Sequence, residues 1–212
     1  MLYQNRYDNS ELTYNDMHFI GITGGVGAGK STVLDFLKEK YHAYVILADL
    51  VGHLVMEPDG ICYDSVVTLF GKRVIKNDKT IDRKMVSDIV FGSEVMRQSL
   101  DAIIHPAVRP FILNQIEQQR EAGCSLVVVE AALLLEEKYD AFCDQVWYVH
   151  TDQEIRIERL MSSRGYTREK ALSIIKRQAS EAFFRQNTDY VITNNGLPEE
   201  TWHQIEEGIK KL

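Results

Sequence analysis

The stretch "TGGVGAGKST", residues 23–32, follows the short apolar run "FIGI" and precedes a segment with helical periodicity. Four glycines within it disfavour both a helix and a strand. Residues 24–31, "GGVGAGKS", satisfy the spacing G-x-x-x-x-G-K-[ST] between a strand and a helix. Glycine lets successive backbone N–H groups surround an anion, because it has no side chain and tolerates unusual dihedral angles. The stretch therefore predicts a phosphate-binding loop (P-loop).

The residues that close this loop have separate predicted roles. Lys30 supplies a mobile cation to phosphate oxygens, and the Ser31 hydroxyl is placed to bind Mg²⁺. The following helix directs its positive N-terminal end towards the same phosphates. GTPases, ATPase motors and small-molecule kinases all share such a loop, so the motif alone does not name the reaction. The predicted nucleotide contacts are Gly24, Gly25, Val26, Gly27, Ala28, Gly29, Lys30, Ser31 and Thr32.

Composition limits the class of protein. The chain has 212 residues and a formal net charge of -7, which disfavours a nucleic-acid partner. No apolar run approaches the roughly 20 residues that cross a membrane, so we expect no membrane partner. The polar start of the chain, residues 1–17, is unlike a signal peptide and predicts a short tail. Three widely separated cysteines predict reduced thiols in a cytoplasmic protein.

Five short segments predict an α/β fold with a parallel sheet. They are continuous in apolar residues, which is typical of strands covered on both faces. Helical patterns between them indicate β-α-β units and a three-layer P-loop core over residues 18–49, 124–151 and 183–212. The predicted strands are 19–23, 44–47, 126–129, 145–150 and 190–193.

Residues 48–125 are too many for a single crossover helix. We predict a helical substrate-binding domain over 50–123 and a lid over 152–182, with a last helix starting at Pro198. Asp82 and Ser93 are expected as N-caps, and Pro106 is expected to open a separate helix. The helix-like stretches of the insertion are 50–56, 61–70, 82–91, 94–103 and 107–122.

Two acidic residues follow predicted strands. Asp49 comes after the second strand, at the sheet edge where ligands bind, and could accept a proton during phosphoryl transfer. It could equally cap the helix that starts near Leu50. Glu130 ends the third strand, where it could help Ser31 to hold a hydrated metal. Glu136, further along, is either a substrate contact or a surface charge.

Residues 156–180 are rich in arginine, although the chain is acidic. Guanidinium groups suit phosphate oxygens, and a lid that carries them would exclude water and neutralise charge. Arg164 and Arg177 are the predicted functional arginines, and the others are expected to be exposed. The loop "TNNG", 193–196, predicts contacts of Asn195 and Gly196 with the nucleotide base, although Asn-Gly is also a common turn.

The ordered motifs of residues 18–212 resemble those of the dephospho-CoA kinase family. The similar stretches are "GITGGVGAGKST", "ADLVGHLVMEPDG", "DAIIHPAVR", "ALLLEE" and "YVITNNG". The resemblance implies a P-loop kinase with a five-stranded parallel sheet. Such a kinase uses ATP and Mg²⁺ to phosphorylate the 3′-hydroxyl of dephospho-coenzyme A, which gives coenzyme A and ADP.

The resemblance also implies residue roles. Asp49 matches the family's proposed catalytic base, and Arg164 matches a lid position near phosphates, so the implied catalytic set is Asp49, Lys30 and Arg164. The substrate contacts expected from the similar stretches and the lid are Asp49, His53, His105, Arg109, Glu136 and Arg177. Alone, His105 before Pro106 is more typical of packing or capping.

Two positions depart from the family pattern. Leu47-Ala48-Asp49 stands where the family usually has Asp-Ala-Asp, and Glu130-Ala131-Ala132 stands where it often has Asp-x-Pro. A longer glutamate can still reach a metal through water.

Two rival functions remain at the level of sequence. The first is a P-loop kinase for a nucleoside monophosphate or another small metabolite. The second is a nucleotide-binding switch without turnover. The sequence lacks a guanine-reading N-K-x-D motif, and its arginine-rich lid suits phosphoryl transfer, so both features argue against a switch. We expect a monomer or a weak homo-oligomer.

Overall fold

The structure is a computed structural model, and it describes residues 17–212. The predicted N-terminal tail, apart from Met17, lies outside the described residues. Two compact units are present. The core unit comprises the described residues up to Ile46 together with Gln119–Leu212, and the helical unit comprises Leu47–Gln118.

A five-stranded sheet organises the fold, and it confirms the predicted α/β class. The strands pair in the order β2-β3-β1-β4-β5. The central strand β1 is parallel to both β3 and β4, so that Ile22 lies opposite Glu130 on one side and Trp147 on the other. The strands are β1 (His18–Thr23), β2 (Tyr44–Leu47), β3 (Leu126–Glu130), β4 (Gln145–His150) and β5 (Tyr190–Thr193).

The described residues contain nine α-helices between and around these strands. In chain order they are α1 (Lys30–Tyr41), α2 (Ala48–Leu54), α3 (Tyr63–Phe70), α4 (Arg83–Phe91), α5 (Glu94–Glu121), α6 (Gln153–Arg164), α7 (Arg168–Lys176), α8 (Glu181–Gln186) and α9 (Pro198–Ile209).

Helices cover both faces of the sheet. Trp147 of β4 packs beside Gly208 of α9, whereas the ring of Tyr148 stacks on Phe184 of α8 with centroids 4.8 Å apart. Neighbouring residues of a strand point to opposite faces, so α9 and α8 lie on opposite sides of β4. The apolar strand residues are buried accordingly, and Val127, Val128 and Val129 have no exposed surface.

The helical unit corrects one sequence prediction. Pro106 does not open a helix, because α5 runs continuously through Pro106 and Pro110. Each proline removes one backbone hydrogen bond and costs roughly 3 kcal/mol in a helix interior. A buried apolar stripe with four-residue spacing extends across both prolines, and its burial offsets that cost. The stripe consists of Ile104, Val108, Ile112 and Ile116.

The structure confirms the two predicted N-caps, Asp82 and Ser93. The Asp82 carboxylate accepts a hydrogen bond from the Met85 N–H, and the Ser93 hydroxyl accepts one from the Met96 N–H. Asp49 is not an N-cap, because α2 begins one residue earlier and Asp49 lies in its first turn.

The three cysteines, Cys62, Cys124 and Cys143, form no disulfide in the described residues. Burial, with help from nearby carboxylates, raises the pKa of the Cys143 thiol and keeps it protonated. Among residues 17–212, every helix is too short or too polar to traverse a lipid bilayer.

Candidate nucleotide-binding site

The P-loop connects β1 to α1 in the core unit. Gly24, Gly27 and Gly29 have φ angles of 149°, 77° and 85°, which residues with a side chain rarely adopt. Gly29 is the N-cap of α1 and provides no side chain to the first helical turn. Such a turn leaves N–H groups for a bound anion.

The backbone hydrogen bonds of the loop support this interpretation. The Ala28 N–H donates to the Gly25 carbonyl, and the Thr32 N–H donates to the Gly29 carbonyl. Within residues 17–212, the N–H groups of Gly27, Lys30 and Ser31 have no acceptor. These amide donors suit an anion, and their binding of phosphate stays a prediction.

Lys30 is held at the base of the loop. Its ammonium donates to the Gly24 carbonyl at 2.8 Å and lies 3.3 Å from the Glu130 carboxylate. Glu130 reaches this position because the β1–β3 register places it opposite Ile22, just before the loop. Both side chains are about 15% exposed, so the ion pair is largely shielded from solvent.

Two arginines on one face of α6 donate hydrogen bonds to backbone carbonyls of the P-loop. Arg156 donates from Nε to the Val26 carbonyl at 2.9 Å. Arg159 donates to the Asn194 carbonyl at 2.9 Å and more weakly to the Ala28 carbonyl at 3.5 Å. The two residues are three positions apart and therefore share a helix face.

Arg156 and Arg159 are not among the arginines that the sequence predicts to be functional. The predicted Arg164 lies exposed at the end of α6, and the predicted Arg177 lies exposed at the end of α7. Arg156 and Arg159 each directly precede a buried apolar residue of α6, Ile157 and Leu160. This spacing could have indicated that the two arginines lie near the face of α6 that packs on the core. The proposed roles of Arg164 and Arg177 stay predictions.

The loop after β5 is tied to the P-loop through Asn194, a neighbour of the predicted Asn195 and Gly196. The buried Asn194 amide donates to the Ala28 carbonyl at 2.8 Å and accepts from the Thr201 hydroxyl at 3.0 Å. The Asn195 side chain accepts from the Asp152 N–H, and Gly196 is exposed. Base contacts of Asn195 and Gly196 stay a prediction.

The Asn194 amide also explains one glycine. A Cβ at Gly29 would lie 2.1 Å from Asn194 Nδ2, well inside van der Waals contact. Gly29 is therefore required both by its φ angle and by this approach.

Thr151 joins the same network. Its hydroxyl lies 2.9 Å from the Ala28 carbonyl and 3.1 Å from the Asn194 carbonyl, and its side chain is buried. The Ala28 carbonyl thus accepts hydrogen bonds from the loop that follows β5 and from the β4–α6 connection.

Four predicted acceptor-site residues lie in the helical unit. Asp49 is exposed at the start of α2, and His53 lies one turn later on the same helix. His105 and Arg109 are likewise one turn apart on α5, and the Asp101 carboxylate lies 3.8 Å from the His105 ring. The spacing places each pair on one helix face.

The surroundings of His53 disfavour its protonated form. Burial and the nearby Arg83 cation lower its pKa, against weaker opposition from Asp49 and Glu57. Its Nδ1 atom is buried without a hydrogen-bond partner among the described residues. A buried polar atom without a partner lowers stability, and the proposed substrate contact of His53 stays a prediction.

The remaining predicted residues belong to the core unit. Glu136 is exposed in the turn region that follows β3, and Ser31 is exposed in the first turn of α1. Residues 17–212 hold no cluster of three or more His, Cys, Asp or Glu side chains suited to a metal ion.

Comparison with known proteins identifies the family. The family model for dephospho-CoA kinase matches residues 18–200. The chain belongs to the dephospho-CoA kinase family. A dephospho-CoA kinase from Oceanobacillus iheyensis is 38% identical over 91% of this chain and 96% of its own length. Another, from Geobacter sulfurreducens, is 36% identical over 90% of this chain and 96% of its own length.

Solved structures agree on the fold of this kinase family. The structure of TT1252 from Thermus thermophilus has a TM-score of 0.79 and 25% identity, over 92% of this chain and 96% of that one. A dephospho-CoA kinase from Campylobacter jejuni has a TM-score of 0.68 at 22% identity, over 91% and 96% of the two chains. A shikimate kinase from Acinetobacter baumannii, at 0.53 and 16%, shares the fold alone.

Proposed function

We propose that the protein transfers the γ-phosphoryl group of ATP to the 3′-hydroxyl of dephospho-coenzyme A and releases coenzyme A and ADP. The observation that carries this proposal is the match of the dephospho-CoA kinase model to residues 18–200. The P-loop geometry supports it, because glycines with positive φ and amide donors at the start of α1 suit a nucleotide's phosphates.

The roles of the phosphate-binding residues follow from their contacts. The P-loop amides bind the β- and γ-phosphates, and Lys30 moves its ammonium from Glu130 and Gly24 to their oxygens. Arg164, exposed at the end of α6, neutralises charge on the transferring group when the segment 152–182 acts as a lid. Arg177, Asn195 and Gly196 complete the contacts at the nucleotide and lid.

Asp49 acts as the general base. It is exposed in the first turn of α2, directly after β2, and takes the proton of the attacking 3′-hydroxyl. His53, on the same helix, and the pair His105 and Arg109 bind the acceptor, together with Glu136. Arginine suits the phosphate groups of dephospho-coenzyme A, and a neutral histidine suits its hydroxyl and amide groups.

The donor set at the P-loop also fits Mg²⁺. The Ser31 hydroxyl and the Glu130 carboxylate are oxygen ligands, which this hard cation prefers. When bound, the ion neutralises charge on the β- and γ-phosphates. The Glu130 carboxylate, which lies 3.3 Å from the Lys30 ammonium at the base of the loop, would hold the ion together with the Ser31 hydroxyl.

A coupled ADP-release assay tests the proposed function. Purified protein, ATP and dephospho-coenzyme A should release ADP in the presence of Mg²⁺ and not in the presence of a chelator. A panel of nucleoside monophosphates and small metabolites should give no comparable release. Phosphorylation of a member of that panel, with dephospho-coenzyme A untouched, would contradict the proposal.

The remaining parts of the proposal concern the setting of the enzyme. We infer a cytoplasmic protein that acts on a small-molecule substrate as a monomer or weak homo-oligomer, without nucleic acid. The acidic net charge and the three free cysteines support this inference.

A further inference from the structure

The peptide of Val26, at the turn of the P-loop, is held by a closed set of three hydrogen bonds. The Val26 N–H donates to Gln178 Oε1 at 3.1 Å, and the Val26 carbonyl accepts from Arg156 Nε at 2.9 Å. Arg156 Nη2 donates to the same Gln178 oxygen at 2.6 Å. The set joins the P-loop to α6 and to the end of α7, through residues that follow Val26 by 130 and 152 positions.

The charge of Arg156 in this set is uncompensated. Burial lowers the pKa of its guanidinium, although the group stays charged. No carboxylate pairs with Arg156 in the described part of the chain, and its side-chain partner is the neutral amide of Gln178. A partly buried cation without a counter-ion favours an anion bound nearby, because the surrounding dielectric screens it weakly.

Glycine at position 25 belongs to the same arrangement. A Cβ on Gly25 would lie 2.2 Å from Arg156 Nη2 and 2.5 Å from its Cζ. The absent side chain therefore leaves room for the guanidinium as well as for phosphate. The loop sequence accommodates Arg156 at the same place where it binds an anion.

We propose that Gln178 is a positioning residue of the nucleotide site, which fixes the Val26 peptide and Arg156 with one neutral acceptor. Both lone pairs of its Oε1 atom are used, one by the loop and one by the guanidinium. A carboxylate here would accept the same two bonds, but it would cancel the positive charge of Arg156. Only the effect of Gln178 on turnover rests on the proposed function. Its effects on the order of the P-loop and on nucleotide affinity can be measured without that function.

Two substitutions separate these effects. Gln178→Ala removes the acceptor, and Gln178→Glu keeps the acceptor and adds a negative charge. Gln186→Glu is the matched control, since it adds the same charge on the exposed surface of α8. Amide hydrogen exchange of Val26, measured by NMR, reports the loop hydrogen bond, and calorimetric titration with ADP in a chelator reports phosphate affinity.

Each variant has a distinct expected result. Gln178→Ala should speed Val26 exchange and weaken ADP binding, each by about tenfold. Gln178→Glu should retain the slow exchange and weaken ADP binding by about tenfold, whereas Gln186→Glu should change neither quantity. If Gln178→Ala leaves exchange and ADP affinity unchanged, or if Gln178→Glu binds ADP like the unaltered protein, the proposal is overturned.

The readouts also keep this proposal apart from the proposed function. Neither measurement needs dephospho-coenzyme A, so a failure of turnover with intact ADP binding would contradict the proposed function alone. Far-UV circular dichroism checks that each variant is folded. Should Gln178→Ala not fold, ADP affinity of Gln178→Glu still decides whether the neutral acceptor matters.

Discussion

At the scale of single residues, the role of a charged side chain depends on its present contacts and on whether a ligand can replace them. The Lys30 ammonium contacts the Gly24 carbonyl and the Glu130 carboxylate, and the proposed function has phosphate oxygens replace these partners. Asp49 is exposed and can reach a substrate without first breaking a buried contact. The catalytic roles proposed for these two residues lead to separable predictions.

Lys30→Ala should weaken ATP binding and lower turnover by about 100-fold or more, because it removes the ammonium that is proposed to bind the phosphate oxygens. Calorimetric titration with ATP and the ADP-release assay measure the two effects. Lys38→Ala, on the exposed part of the same helix, is the matched control and should keep both. Turnover of Lys30→Ala equal to that of the unaltered protein would contradict the assignment.

Asp49→Asn should leave ATP affinity unchanged and lower kcat by about 10²- to 10⁴-fold, because the amide keeps the size of the side chain but cannot accept the proton. Steady-state kinetics with dephospho-coenzyme A measure the change. Asp59→Asn, an exposed carboxylate in the same unit, serves as the control and should behave normally. An unchanged kcat would remove Asp49 from the mechanism.

At the scale of elements, the P-loop is stabilised by neighbours that come from distant parts of the chain. Val26 is bonded to α6 and to the residue after α7's cap, and Ala28 is bonded to the loop that follows β5. The glycines therefore accommodate these neighbours as well as the ligand. At Gly29, the cost of the positive φ angle can be measured separately from the cost of a clash with Asn194.

Gly29→Ala and Gly123→Ala form a matched pair. Both glycines have positive φ, 85° and 75°, but an added Cβ meets Asn194 at Gly29 and nothing within 4 Å at Gly123. Gly123→Ala should lower the free energy of unfolding by about 1 kcal/mol, the backbone cost alone. Gly29→Ala should lower it further and also weaken ATP binding, because Asn194 must leave Ala28. Urea unfolding and ATP titration check this, and equal effects of the two variants would contradict it.

At the scale of the whole molecule, the pH dependence of stability should show the neutral state of His53. Burial and Arg83 place its folded-state pKa below the ordinary value of about 6.5. The unfolded chain therefore binds a proton more readily than the folded protein. This contribution to stability is complete above the unfolded-state pKa and is lost as the pH falls towards the folded-state pKa.

His53→Asn should therefore lose less stability than the unaltered protein when the pH is lowered from about 8 to about 5.5. Arg83→Ala should also reduce the loss, because it removes one of the causes of the lowered pKa. Urea unfolding at a series of pH values measures the slopes. Identical slopes in all three proteins would show that His53 titrates alike in both states.

The sequence predicted much of the fold but less of the contact network. The five strands were found because each is a continuous apolar run with its own local signal. The predicted helix start at Pro106 was wrong, because proline is a strong local signal for a helix boundary. The apolar stripe of α5 outweighs that signal, but it is buried only once the helical unit has folded. Arg156 and Arg159 were seen as part of a basic stretch, but which arginines reach the loop depends on how α6 packs.

The sequence by itself determined the phosphate loop, the parallel sheet and the family, since glycine spacing, apolar runs and motif order are local properties of the chain. Only the tertiary structure decided which side chains surround the loop. Glu130 is brought to Lys30 by the register of β3 on β1. Asn194, Arg156 and Gln178 reach the loop from segments more than a hundred residues away, and no local pattern specifies such contacts.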